Sequence, residues 1–267
     1  MKKVLFILVL FIFSATLFAQ DKKDDNLELL RLFPKIACIG SSLASGEIVS
    51  DPQKAPGILF GSMGKEKMIN ELPACVDRHE SSWCSLICRR IGAKAKHWSR
   101  GGITARYWLE HYNYLMQTDP EVYPCYFIYL GGNDFYAGYQ IGTPKDDLKS
   151  NTFSGYYNEV INCIKAKNPH AVILCLSMFT NSDYKNKNNN TQKDFSNAVK
   201  AITEVQDLCY YIDFAGTSEN VLEKSKYING GHYSSPGYLV VSYEIEALAN
   251  KVLLENIHDL DDITLYF

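Results

Sequence analysis

This 267-residue chain lacks an excess of charge of either sign, with 27 Lys and Arg against 30 Asp and Glu and a formal net charge of -3. Its basic residues are scattered, so there is no electrostatic footprint for nucleic acid. It lacks an apolar run long enough to span a bilayer, which takes about 20 residues. The longest such run is Val4 to Phe13. It lacks internal repeats, which leaves solenoids aside, and closely spaced Cys and His pairs of the kind that hold zinc. Only Cys84 and Cys88 stand near each other, with no matching histidine pair beside them. No metal or organic cofactor is expected.

The apolar run that is present follows Met1-Lys2-Lys3 and softens through Ser14-Ala15-Thr16 to Ala19-Gln20. A basic start, a short apolar core and a small residue before the cut predict a secretory signal peptide over residues 1–19. The expected product is exported, periplasmic or extracellular, with no stable membrane insertion after cleavage. No cysteine follows closely, so nothing points to a lipid anchor. Residues 20–34 are expected to form a mature N-terminal segment and 35–267 one domain, long enough for a sizeable core. Loss of Lys2 and Lys3 brings the net charge to -5. All eight cysteines lie in the exported part. Cys38, Cys125, Cys175 and Cys209 fall in apolar runs and read as small hydrophobes, whereas Cys75, Cys84 and Cys88 are the better disulfide candidates.

Five short apolar runs predict strands: Lys35 to Ile39, Ala95 to Trp98, Cys125 to Leu130, Ala171 to Leu176 and Cys209 to Asp213. Runs without alternation suit strands covered on both faces. Helical periods fall between them, at Trp83 to Arg90, Thr104 to Met116 and Phe153 to Ile164, the last ended by Asn168-Pro169. Thr191 and Asp194 form a capping pair before Phe195 to Val205, and Ser235-Pro236 starts a helix to Leu254. Alternating strands and helices imply parallel pairing through right-handed crossovers, hence a three-layer α/β/α sandwich with a five-stranded parallel sheet. The stretches Ala44 to Ala74 and Phe135 to Lys149 do not fit the alternation. The latter leaves the third strand without an immediate helix, and the Asn- and Lys-rich 181–190 reads as a solvated loop.

Chemistry-bearing residues stand at the ends of the first three strands. Ser42 lies just past Gly40, where parallel α/β folds present ligands beyond the carboxyl edge of the sheet; a serine hydroxyl needs a base to become a nucleophile. Arg100-Gly101-Gly102-Ile103-Thr104 follows the second strand. It either brings a backbone N–H to a ligand or makes a plain turn. Gly131-Gly132-Asn133-Asp134 follows the third. Here an asparagine amide suits a developing oxyanion, at about 3 kcal/mol in the transition state, and an Asx turn is the plainer alternative. His232 enters from the loop before the last helix, a fitting place for the base. The residue three before it is Asn229, where an acidic residue would be the easier choice, so what orients the ring is an open question at this level.

The order of these blocks resembles the SGNH hydrolases, the GDSL esterase and lipase family, over about Lys35 to Leu254. Gly40-Ser41-Ser42-Leu43 is similar to the Gly-Asp-Ser-Leu nucleophile block, with Ser41 in place of Asp. Gly102-Ile103-Thr104 resembles the second block and implies Gly102 as a backbone donor. Gly131-Gly132-Asn133-Asp134 resembles Gly-x-Asn-Asp and implies Asn133 as the side-chain donor. His232 corresponds to the terminal base. The fold implied is the flavodoxin-like sandwich of that family. The last block departs from the usual Asp-x-x-His, since this chain has Asn229-Gly230-Gly231-His232. The carboxylate normally holds the imidazole tautomer and stabilises the imidazolium. Three readings stay open: Asn229 or a backbone carbonyl completes a Ser-His dyad, an acid such as Asp134 or Asp213 comes from elsewhere, or the site is degenerate.

The resemblance implies metal-independent carboxylic ester hydrolysis. Export and the Arg-Gly-Gly-x-Thr block, similar to those of bacterial carbohydrate-directed members, direct the expectation to short acyl groups, O-acetyl above all, on a small-molecule or glycan ester. Lysophospholipase or thioesterase activity is the alternative among enzymes, and a catalytically impaired glycan-binding protein the alternative outside them.

Overall fold

The fold is described from a computed structural model for residues 28–49, 68–69, 72–73, 75–178, 184–215, 227–229 and 231–260. The expected leader and most of the stretch 44–74 lie outside these residues. Five strands, β1 (Lys35–Gly40), β2 (Lys94–Ser99), β3 (Cys125–Tyr129), β4 (Val172–Leu176) and β5 (Cys209–Ile212), form one sheet in the order β2-β1-β3-β4-β5. Every pairing in it is parallel. The α/β/α sandwich and the five-stranded parallel sheet are therefore as expected.

Both faces of the central strands are buried, which explains their unbroken apolar sequences. Cys38, Phe127 and Leu174 face one core with Trp83 and Ile245, while Ile39, Ile128 and Ile173 face the other with Trp108, Val160 and Val199. These residues belong to α2 (Trp83–Ile91) and α8 (Ser235–Glu255) on the first side. On the second they belong to α3 (Ala105–His111), α6 (Phe153–Lys167) and α7 (Gln192–Thr203). β2 is the weak strand in sequence because it is an edge. Lys94 and Lys96 pair there with Glu121 and Asp119, and edge charges oppose further strand pairing.

The helix ends follow local chemistry. Thr191 and Asp194 form the predicted reciprocal capping box of α7, and Thr152 and Ser234 cap α6 and α8. Four expectations change. The helix expected from Thr104 to Met116 is interrupted at Tyr112, giving α3 and then α4 (Asn113–Thr118). A short helix, α5 (Gly132–Ala137), follows β3 directly, where an irregular stretch was expected. It starts from Gly131 at φ 119, a backbone that glycine permits. Cys84 and Cys88 are buried free thiols packed in the first core, not disulfide partners; the side chain of Cys75 lies outside the described residues. Finally, the Asn-rich loop is anchored. Asn186 is buried, its Oδ1 accepting from the Asn188 and Asn190 amides and its Nδ2 donating to the Phe135 carbonyl.

Candidate active site

The parallel register brings the ends of β1, β2 and β3 level, with Gly40 paired to Ser99 on one side and Tyr129 on the other. Gly40 is required by space, since a Cβ there would lie 2.4 Å from the Ala44 Cβ and 2.9 Å from the Tyr129 carbonyl oxygen. After it, Ser42 opens a single helical turn, α1 (Ser42–Ser45), which ends at the left-handed Gly46. Ser42 is nearly buried at the carboxyl edge of the sheet. The Ser42 carbonyl accepts from Ser45 Oγ and Tyr238 Oη, at 3.0 and 3.2 Å.

The loop after β2 carries Gly102 at φ 78, with open space where a Cβ would project. The neighbouring Gly101 N–H donates to the Asp77 carboxylate. Asn133, in the first turn of α5, donates one amide hydrogen to the Ile103 carbonyl at 2.9 Å. An NH2 group has two donors, so a second remains for a ligand. Asp134 is fully buried and accepts the Ala105 N–H at 3.0 and 3.2 Å. Burial pushes its carboxyl up to about 7. Asp134 therefore ties the second and third loops together.

His232 belongs to a two-residue hairpin strand, His232–Tyr233, antiparallel to Ile228–Asn229, with His232 opposite Asn229. The side chain of Asn229 lies outside the described residues. Tyr233 anchors the hairpin in the core, its ring edge-on to Tyr238 and its hydroxyl 3.4 Å from that of Tyr129. The hairpin packs against α1, and so brings His232 to the helix that Ser42 opens. The hydrogen bonds that fix Ser42 run through its carbonyl.

The carboxylate beside the imidazole is Glu47. Its Oε1 lies 3.5 Å from His232 Nε2, with both side chains 7% exposed. Of the acids weighed from the sequence, Asp134 is turned to Ala105 and Asp213 is an exposed residue. The sequence pattern points to an acid three residues before the histidine, whereas Glu47 lies just past the nucleophile block. The signal available in sequence was an acid directly after Gly46. Of the remaining histidines, His79 and His97 stack on each other with ring centroids 4.7 Å apart. His97 faces Ser82 and Ser85, and burial holds its imidazole neutral with a pKa of about 3. Among the described residues no group of three or more His, Cys, Asp or Glu is arranged to hold a metal ion.

The GDSL-like lipase/acylhydrolase family matches residues 38–240, from within β1 to the second turn of α8. The chain belongs to this family. It is a hydrolase of the GDSL/SGNH superfamily, and solved structures agree on the fold. A psychrotrophic esterase from Pseudoalteromonas superposes with a TM-score of 0.54 at 15% identity, over 82% of this chain and 98% of the esterase. A protein from Lactobacillus plantarum gives 0.54 at 16% identity, over 82% and 97%. A family two carbohydrate esterase from Clostridium thermocellum gives 0.55 at 17% identity, over 82% of this chain and 64% of that one. No curated protein gives a significant sequence match. The Asn229-Gly230-Gly231-His232 ending has no acid three residues before the histidine, and the Glu47 carboxylate stands 3.5 Å from the imidazole.

Proposed function

We propose that this family member is an exported serine esterase that removes short acyl groups, chiefly O-acetyl, from carbohydrate through an acyl-serine intermediate. The observation that carries the reading is the alignment of Ser42, Gly102 and Asn133 on the ends of three adjacent parallel strands, with His232 entering from the hairpin beside α1. His232 takes the Ser42 proton as Oγ attacks the ester carbonyl carbon, and the carbonyl electron pair moves onto oxygen. The Ser42 and Gly102 N–H groups and the Asn133 amide meet that charge. Collapse breaks the bond to the alcohol, which leaves with the proton from His232. Water then repeats the sequence on the acyl group. The hydroxyl-to-imidazole bond is one that tightens in the substrate complex.

Asn229, opposite His232 in the hairpin register, is the residue proposed to orient the ring. Carbohydrate as the acyl carrier is supported by the Arg100-Gly101-Gly102-x-Thr104 block and by likeness in fold to the carbohydrate esterase. Tyr136, one turn beyond Asn133 on α5 and 43% exposed, offers a surface for a sugar ring. Export rests on the leader sequence.

The test is an ester panel of aryl acetate, acetylated oligosaccharides and lysophospholipids on wild type and Ser42→Ala. Acetyl-selective cleavage that disappears in the variant is the expected result. Wild-type turnover by Ser42→Ala rejects the nucleophile. Rising activity with acyl length transfers the assignment to a lysophospholipase or thioesterase, and glycan binding without turnover on any ester makes the protein a binding module.

A further inference from the structure

We infer that Glu47 is the acidic partner of His232, a positioning residue that supplies, from the segment after the nucleophile helix, the negative charge absent at Asn229. This rests on the reading of His232 as the base. The two groups meet in a nearly closed setting, Oε1 at 3.5 Å from Nε2 with each side chain 7% exposed. A buried carboxylate is tolerated when its charge is met, and an imidazole that gains a proton meets it.

Three features hold Glu47 in this place. The left-handed Gly46 turns the chain back at the end of α1, and the Glu47 N–H closes on the Ser42 carbonyl at 3.2 Å. The Tyr238 hydroxyl lies between the carbonyls of Ser42 and Glu47, at 3.2 and 3.0 Å, so one side chain of α8 clamps the backbone of the nucleophile and of the acid. Gly101 leaves the carboxylate its room, because a Cβ there would fall 1.8 Å from Glu47 Oε2. The second block is thus shaped around Glu47 as well as around a backbone donor.

The chemical consequence follows the proton. When the Ser42 O–H bond breaks and the proton moves to the ring, the resulting imidazolium stands beside a carboxylate. The charge pair is made only in the protonated state, so it raises the basicity of His232 and stabilises the tetrahedral intermediate relative to the resting enzyme. Asn229 is neutral and has no such effect. Other titratable groups around the pair are Asp77, which binds the Gly101 N–H and the Ser45 hydroxyl, and Tyr233 and Tyr238, whose hydroxyls burial keeps protonated.

The experiment follows the His232 ring by nitrogen-15 NMR titration of the full chain in a Ser42→Ala background, where turnover plays no part. The His232 pKa is expected to fall by about one pH unit or more when Glu47→Gln is added, and to stay near its original value with Glu47→Asp. In the enzyme with Ser42 intact, E47Q is expected to cut the plateau of kcat/KM about tenfold or more and to move its acid limb to lower pH. Gly101→Ala, which drives a methyl group into the carboxylate, is expected to reproduce the titration change. An unchanged His232 titration in E47Q overturns the pairing even if the protein is an esterase. Loss of the esterase reading by the Ser42 test leaves the titration result standing by itself.

Discussion

Asp134 Oδ1 accepts the Ala105 N–H at 3.0 Å inside a fully buried site, joining the loop of Gly102 to the helix of Asn133. The carboxyl titrates at about 7, up from 3.8, because burial disfavours its charge. The folded state therefore binds the proton more tightly than the unfolded chain. Stability is expected to fall as pH rises from about 4 to about 7 and to level off above. Asp134→Asn keeps an oxygen for Ala105 and removes the titration. Denaturant melts of D134N should lose that slope, and a slope unchanged from wild type would assign it to other groups. Asp134→Ala leaves the buried Ala105 N–H unpaired, at roughly 1–3 kcal/mol.

Asn133 differs from its neighbour in having a donor to spare. One amide hydrogen goes to the Ile103 carbonyl at 2.9 Å, and the other is available to a developing oxyanion. Asn133→Ala is expected to lower kcat about 100-fold or more through the lost oxyanion contact. Its effect on stability should stay near 1 kcal/mol, about the worth of one partly exposed hydrogen bond. Steady-state kinetics beside a thermal melt separates the two. A fall in activity that merely follows unfolding at the assay temperature would deny the amide its role.

Two glycines with positive φ are expected to respond differently to alanine. At Gly102 (φ 78) the added methyl meets open space, so the cost is the left-handed backbone alone, about 1–2 kcal/mol. At Gly131 (φ 119) the methyl would lie 2.7 Å from Met178 Sδ and 3.2 Å from the Phe153 ring. Overpacking then adds roughly 1–3 kcal/mol. Gly131→Ala should show the larger drop in midpoint on chemical denaturation; equal drops would mean that Met178 and Phe153 yield without cost.

What was legible in the sequence was whatever local chemistry decides. The strands at Cys125 and Val172 show as apolar runs because both faces are buried, and the cap at Thr191 shows because its side chain acts on its own helix; the start of α8 shows through Ser235-Pro236, although the capping side chain is that of Ser234. The placement of Ser42, Gly102 and Asn133 at strand ends follows from parallel topology, so it too was readable. Glu47 was not. Its approach to His232 depends on Gly46, Gly101 and Tyr238, three positions scattered over the chain that meet only in the fold. The short helix α5 was hidden for a related reason: Gly-Gly-Asn-Asp reads locally as a turn, and its helical path is fixed by bonds to Ile103, Ala105 and Asn186.

Asn186 is the last of these fixed points. It holds the 184–190 loop through two backbone amides, at 3.0 and 3.1 Å, and reaches α5 through the Phe135 carbonyl at 3.2 Å. Asn188 adds a bond to the Gly138 carbonyl at the end of the same helix. Asn186→Ala removes three bonds at a buried position and is expected to cost about 2 kcal/mol. The effect should be local, because α5 has only six residues and is too short to stand without tertiary support. Amide hydrogen exchange is expected to accelerate in Gly132–Ala137 and in the loop, while β3 and β4 keep their protection. If Asn133 acts from α5, kcat in N186A falls several-fold with KM little changed. Exchange in α5 at the wild-type rate would show that the bonds from Ile103 and Ala105 hold the helix without the loop.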